Sequence, residues 1–583
     1  MRVIHSVIPW TRVDVRIGRG VAADAALEAP RGPAGSTSLA PGRQPRRWDG
    51  PRAVRMVAAL LGLAAIGGYV AIALARLTYP FTLEVLESNS LVEVHRILAG
   101  QPLYAAPTVS YVPDGYPPAY FGVSAAVAGV LGQSYLALRL VSLVSSLACF
   151  ALLARLVQRE TGSTGAGIAG AGVLAATYFA TGTWFDVGRV DSLFLALSVA
   201  GLYAARWMCR TRGAVGAGLL LAAAFGTKQT ALAEGVAVLA ALAAGPRRRL
   251  ALPAALSYGA ILGGSTLALG LASHGWYVYY VFEQMSGHPL GHAAIAGFWA
   301  SYLLPTLGLA GCAALLGARR APAVLLAGCA ALVVEGYAAL VHAGGNVNDL
   351  LPAYLAVALL AGLAMGGQPG LMLGGRADRL AQAWIAKRPP GQAGRWAAAT
   401  ASGLVVAQLA VLAGGFRPDR AIPPSADRAV GLRLMAGVRA LGGTVAIPAD
   451  PGLALMAGLP EVEDQIAAAD VLRASDRTAV AIFTGSVARA VAARRFTAII
   501  TELGRDLRGF PADLPRYYRR CPRMPPTGLP PAPFSPGAGE WTVSVWLPVG
   551  RGSCAVAVRA LDGPVTANSL AQPRVPSRSG GAE

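Results

Sequence analysis

The feature that most constrains this chain is a succession of apolar runs, each near the length that crosses a bilayer. Eleven fall between Val54 and Gly414, near 54–76, 136–157, 165–182, 190–208, 211–227, 229–245, 250–272, 297–317, 321–342, 350–366 and 396–414. A hydrocarbon core about 30 Å thick takes about 20 apolar residues of helix. With 54% hydrophobic and 14% charged residues and a mean hydropathy of +0.50, a soluble globule is excluded and a polytopic α-helical membrane protein is expected. Lys228-Gln229 divides an apolar stretch too long for one span. The segment 118–133, which follows Pro117 and opens on Pro118, is short and rich in Gly and Ala; it reads as interfacial, not spanning.

With that segment outside the membrane core, the basic clusters sort to one side: Arg43 to Arg55, Arg155 and Arg159, Arg206 to Arg212, Arg247 to Arg249, Arg319 and Arg320, and Arg376 to Arg395. The net charge of +20 is thereby explained by the positive-inside rule, and no nucleic-acid partner is implied. The expected protein is a multi-pass cytoplasmic (inner) membrane protein with its N-terminus inside. Four parts are expected: a disordered cytoplasmic tail (1–53), a transmembrane domain (54–414) with a first outer loop (77–135), an extracytoplasmic α/β domain (415–562), and a disordered tail (563–583). Strands are expected at TVAIPAD (444–450), AVAIFTG (479–485) and FTAIITE (496–502). Cys149, Cys209, Cys312 and Cys329 read as packing residues, whereas Cys521 and Cys554 lie where a disulfide is permitted, with free thiols as the alternative.

The outer side then collects ionisable residues from five places: Glu84, Glu87 and His95; Asp186, Arg189 and Asp191; Lys228 and Gln229; the segment His274 to His292; and Asn346, Asn348 and Asp349. Convergence of such groups on one membrane face is what an interfacial site requires. Read as a helix, the first loop places Glu84, Glu87, Leu91 and His95 on one face and turns Glu93 towards solvent. Ordinary exposed acids at a helix start are the bland alternative for Glu84 and Glu87, and a satisfied interfacial histidine that for His95. Arg189 could equally be tied to Asp186 or Asp191 in a helix-pinning salt bridge. The histidines of Ser273 to Gly297 follow no compact zinc spacing, and no glycine-rich nucleotide fingerprint is present.

Several blocks in order, LEVLESNS, HRILAGQPLY, YPPAYF, ALRLVSLVSSL, WFDVGRVDSLFLAL, GTKQTAL and GGNVNDLLPAYLAVALL, resemble the GT-C class of membrane glycosyltransferases, in particular the protein O-mannosyltransferase and lipid A aminoarabinose transferase group. The resemblance implies a polyprenyl-phosphate-linked sugar donor and transfer to an acceptor hydroxyl on the extracytoplasmic side. It also implies an Asp-Glu pair in the first loop; Glu87 matches the Glu, while Leu86 stands at the Asp position. Glu87 is therefore the expected base, with Glu84 as its stand-in and Asp191 as a further catalytic carboxylate that orients the acceptor or holds a metal. Arg139, Arg189 and Lys228 are the cations available to the lipid phosphate. Tyr116, Asp186, Gln229, His95, Asn346, Asn348 and Asp349 complete the expected substrate contacts. No obligatory metal or other cofactor is expected. A lipid or sugar transporter, or a non-catalytic envelope-polysaccharide assembly subunit, are the competing functions.

Overall fold

The computed structural model describes residues 50–366, 392–502, 509–521 and 543–562. Of the expected tail 1–53, residues 1–49 lie outside them and 50–53 begin the first helix; the expected tail 563–583 and the basic residues Arg43 to Arg47 and Arg376 to Arg388 also lie outside. The helices are α1 (Gly50–Leu77), α2 (Glu87–Leu98), α3 (Ala119–Leu131), α4 (Tyr135–Thr161), α5 (Thr164–Ala176), α6 (Asp191–Trp207), α7 (Thr211–Phe225), α8 (Leu232–Ala244) and α9 (Ala251–Ala272). They continue with α10 (Leu304–Ala318), α11 (Ala323–Val341), α12 (Leu351–Met365) and α13 (Gln392–Gly414).

Among the described residues, 7 helices are long and apolar enough to cross a membrane: 52–77, 135–161, 248–272, 292–318, 323–341, 347–365 and 394–414. Each coincides with an expected span, and the chain is an integral membrane protein. The other four expected spans form shorter helices, α5 of 13 residues, α6 of 17, α7 of 15 and α8 of 13. At about 1.5 Å per residue such helices cover roughly 20–25 Å, short of the apolar core. The long apolar stretch breaks at Lys228, as expected, between α7 and a single 3₁₀ turn leading into α8. α3 has 13 residues, about 20 Å, and is likewise short.

Packing follows residue size. α12 is apolar on every face and almost wholly enclosed, which makes it the central helix. α1 and α5 approach backbone to backbone where Gly62 meets Gly172; a Cβ at Gly172 would collide with Gly62 Cα. Small residues serve this purpose in a medium where helices gain nothing by hiding apolar surface from lipid.

Beyond the helices, α14 (Ser425–Leu441), β1 (Val445–Ala446), α15 (Pro451–Met456), α16 (Gln465–Arg473), α17 (Arg477–Ala492), β2 (Ala498–Glu502), β3 (Tyr518–Arg520), β4 (Val543–Pro548) and α18 (Cys554–Asp562) follow. The strands form a small sheet in the order β1-β2-β4-β3, with β1 parallel to β2 and the other pairs antiparallel. TVAIPAD and FTAIITE supply β1 and β2, but AVAIFTG lies inside α17. Asp476 caps that helix by accepting from Thr478 and Ala479 N, and the helix passes through Gly485 and continues without a proline to Ala492, so its apolar residues serve a helical face. Cys521 and Cys554 are joined in a disulfide. Of the remaining cysteines, Cys149 and Cys329 are buried, whereas Cys209 and Cys312 are exposed and do not pack in the interior.

Gly172→Leu is expected to force α1 and α5 apart, at a cost of about 1–3 kcal/mol or more. The check is a lowered midpoint of thermal unfolding of the detergent-solubilised protein, with Ala176→Leu, on the half-buried end of the same helix, as a milder comparison.

Candidate active site

The loop between α1 and α3 is organised by one buried ion pair. Arg139, on α4, donates from Nε to Glu87 Oε1 (2.7 Å) and from Nη2 to Oε2 (2.6 Å). Gly188 N donates to Oε1 (2.6 Å) and Leu83 N to Oε2 (2.8 Å). The three remaining guanidinium hydrogens go to the carbonyls of Arg76, Tyr79 and Phe81, and both side chains are fully buried. A Cβ at Gly188 would stand 3.0 Å from Glu87 Cγ, so a glycine there permits the close approach. With two hydrogen bonds on each oxygen, Glu87 has no open acceptor position for a substrate hydroxyl, and Arg139 has none of its donors left for a phosphate. Their geometry is that of a structural clamp.

Glu84 is placed differently. It lies in the turn before α2, outside the helix on whose face it was expected, because the helix begins only at Glu87. Its Oε2 accepts from Leu86 N (2.9 Å) and faces Arg189 Nε at 4.0 Å; its Oε1 makes no hydrogen bond among the described residues. Burial pushes its carboxyl up to about 7, with Arg189 opposing the shift. Arg189 is itself 1% exposed and sits over the rings of Tyr116 and Trp184. Its Nη2 donates to Tyr116 Oη (3.1 Å) and its Nη1 faces Asp114 Oδ2 at 3.7 Å. Among the described residues neither Nε nor Nη1 has a hydrogen-bond partner. A buried guanidinium with two unanswered donors is costly unless something else accepts from them. Arg189 is not bridged to Asp186 or Asp191, the pairing that the sequence allowed.

Those acids have other cations. Asp186 is held in a two-point pair by Arg76, at the end of α1 (2.6 and 2.7 Å), and accepts from Tyr178 Oη (2.9 Å). Asp191 opens α6 and accepts from Lys228 Nζ (3.0 Å) and Asn348 Nδ2 (3.3 Å). Asp349 also accepts from Lys228 (3.1 Å), and its second oxygen closes a cap with Asn346 N (3.1 Å). Gln229 Nε2 donates to Gly115 O (2.7 Å), one residue from Tyr116, so the Lys228 group and the Arg189 group adjoin through the PDGYPP turn. Structure thus brings together Glu84, Tyr116, Arg189, Asp191, Lys228, Gln229, Asn348 and Asp349. Asn346 stands exposed at the rim as a helix cap, and His95 lies two turns along α2, bonded through Nδ1 to Gln133 (2.8 Å).

Glu93 overturns the expectation of a solvated side chain. It is fully buried, accepts from Asp114 N (2.8 Å), and burial holds its carboxyl well above the usual range. The outward face of α2 is covered by the chain after α13: Ser88 donates to Asp450 (2.6 Å) and Arg96 to Glu461 (2.7 Å). Sequence reasoning missed Asp114, Trp184 and Arg76 as site residues. Asp114 stands in the PDGYPP turn; burial raises its carboxyl too, and Asn89 Nδ2 orients it (2.8 Å).

Among the described residues no group of three or more His, Cys, Asp or Glu is placed to hold a metal ion. An apolar cleft of about 270 Å³ between α1, α5 and α13 ends at Tyr178 and Phe416.

Residues 116–277 match the family model described as dolichyl-phosphate-mannose-protein mannosyltransferase, a match that supports a GT-C-type membrane glycosyltransferase. No curated protein sequence matches. Solved structures similar to the chain include ArnT from Cupriavidus metallidurans, both bound to undecaprenyl phosphate (12% identity, 83% of this chain and 97% of that one, TM-score 0.48) and in the apo state (12%, 86% and 98%, 0.49). Another is the archaeal oligosaccharyltransferase AglB from Archaeoglobus fulgidus, in complex with an inhibitory peptide and a dolichol-phosphate (11%, 78% and 69%, 0.45).

Arg139→Met strands the Glu87 carboxylate and should destabilise the protein by about 3–5 kcal/mol. Loss of the monodisperse detergent-solubilised protein, or a large drop in its thermal midpoint, is the expected result; unchanged stability would contradict the clamp.

Proposed function

We propose that the protein transfers a sugar from a polyprenyl-phosphate-linked donor to an acceptor hydroxyl at the extracytoplasmic face of the membrane, with Glu84 as the base. The observation that carries this reading is the pairing of a titrating carboxylate that keeps one oxygen open with a buried guanidinium that keeps two donors open, 4.0 Å apart. Glu84 Oε1 takes the acceptor proton while the acceptor oxygen bonds to the anomeric carbon. The bond from that carbon to the phosphate oxygen breaks, and its electron pair leaves with the lipid phosphate. Arg189 Nε and Nη1 receive the growing phosphate charge. As Glu84 becomes neutral, the guanidinium loses its carboxylate neighbour and is free for the phosphate.

Lys228, fixed by Asp191 and Asp349, is the second cation of the phosphate side, and Asn348 and Gln229 offer amides to sugar hydroxyls. In this reading Asp191 positions Lys228 and Asn348. The undecaprenyl phosphate and dolichol-phosphate of the similar structures are of the chemical class proposed here for the carrier. The apolar cleft ending at Tyr178 offers room for hydrocarbon.

Transfer of radiolabelled sugar from polyprenyl-phosphate donors in membranes tests the assignment. Glu84→Gln is expected to lower the rate by about 100-fold or more with the thermal midpoint retained; a fully active variant removes Glu84 as the base. A carboxyl must be ionised to accept a proton, so the wild-type rate should rise with pH through about 7, and this limb should vanish in Glu84→Gln. Because Arg189 and Lys228 meet the phosphate charge, the reading calls for no divalent cation, and activity is expected to survive EDTA.

A further inference from the structure

A second polar recess lies away from the Glu84–Arg189 pair, where the far end of α2 meets the chain that follows α15. It encloses about 430 Å³, and its walls carry His95, Arg96, Gln101, Ser110, Glu461 and Arg495. That volume holds one or two sugar rings, and six of the ten lining residues carry side chains of the kind that hydrogen-bond hydroxyls, the others being Leu455, Gly458, Leu459 and Pro460.

The walls are preset. Arg96 lies over the Tyr111 ring, its centre 3.9 Å from the ring centroid. It donates from Nε and Nη2 to Pro102 O (3.0 and 2.9 Å) and from Nη1 to Glu461 (2.7 Å). Glu461 is thereby matched by Arg96, with His95 Nε2 a further 3.9 Å away. Arg495 reaches across from the chain before β2 and donates from Nη2 to Ser110 Oγ (2.9 Å), so one guanidinium edge is fixed and the exposed remainder carries charge into the recess. Glu463 is the other acid near Arg495; it is buried and burial holds its carboxyl well above the usual range, so it does not cancel that charge. The recess therefore combines hydroxyl-binding walls with a surplus positive charge.

We infer that this recess binds an anionic saccharide unit of the acceptor, with Arg495 meeting its carboxylate or phosphate and Gln101 and Ser110 its hydroxyls. The inference rests on the glycosyl-transfer reading above, since it assigns the acceptor's approach from the side opposite the apolar helices. Arg495 here is a binding residue outside the reaction centre.

The test is direct binding to the full-length protein in lipid nanodiscs by fluorescence anisotropy, with three labelled probes: a tetrasaccharide containing glucuronic acid, a phosphorylated mannose oligosaccharide, and neutral maltotetraose. One or both anionic probes are expected to bind at least 10-fold more tightly than the neutral one, and which of them binds distinguishes carboxylate from phosphate. Arg495→Ala and Gln101→Ala should each weaken that binding 5-fold or more with an unchanged thermal midpoint, and Arg495→Lys should restore part of it. Equal binding of all three probes overturns the anionic specificity. Absence of binding by any probe, or binding insensitive to both variants, overturns the site. The assay reads no transfer, so bound saccharide together with a catalytically inert protein would count against the proposed function and leave the recess standing.

Discussion

The buried Glu87–Arg139 pair is the interaction on which the site depends. Taking a carboxylate and a guanidinium out of water costs several kcal/mol for each ion unless every remaining donor and acceptor is answered. Here they are answered by the backbone of Leu83, Gly188, Arg76, Tyr79 and Phe81. Three separated stretches of chain are thereby held to one point on α4: the end of the α1 turn, the start of α2, and the loop before α6. That loop carries Arg189 one residue after Gly188, and the turn before α2 carries Glu84 three residues before Glu87. The distance between Glu84 and Arg189 is thereby set by a pair whose own hydrogen-bonding positions are filled.

Charge around the site is nearly all spoken for by such pairing. Arg76 answers Asp186, Arg139 answers Glu87, and Lys228 answers two aspartates. Arg189 is the exception, facing Glu84 and Asp114 across 4.0 and 3.7 Å, beyond hydrogen-bond length. Burial biases both of those acids towards their neutral forms. A strong, direct bridge there would have to be broken before any anion could reach Arg189; a loose one does not.

How much of this could be read from the sequence depended on whether the signal was local. Hydropathy located the seven long helices, and a lysine within an apolar run marked the break between α7 and α8, because both effects act within one segment. The polar residues of the first loop were also legible as a group. Their division of labour was not: Glu84 and Glu87 differ in what Arg139 and Gly188 bring to them, from 52 and 101 residues away. Glu93 looked solvated because helical periodicity says nothing about a cover supplied by the last third of the chain. AVAIFTG has the composition of a strand, and the Asp476 cap with the proline-free run SVARAVA behind Gly485 makes it helical. The buried acids Glu234 on α8 and Glu335 on α11 were invisible for a similar reason: Glu335 accepts from Glu234 N (3.0 Å), answering a helix start on a neighbouring segment.

The contact between Ser88 and the Asp450 cap carries a consequence in time. Ser88 donates to Asp450 and accepts from Gly452 N (2.7 Å), so one face of α2 is finished by residues made more than 360 positions later in the chain. The Arg139 clamp, by contrast, draws on residues no later in the chain than Gly188. The first loop therefore takes the form described here only once residues 450–452 have been made.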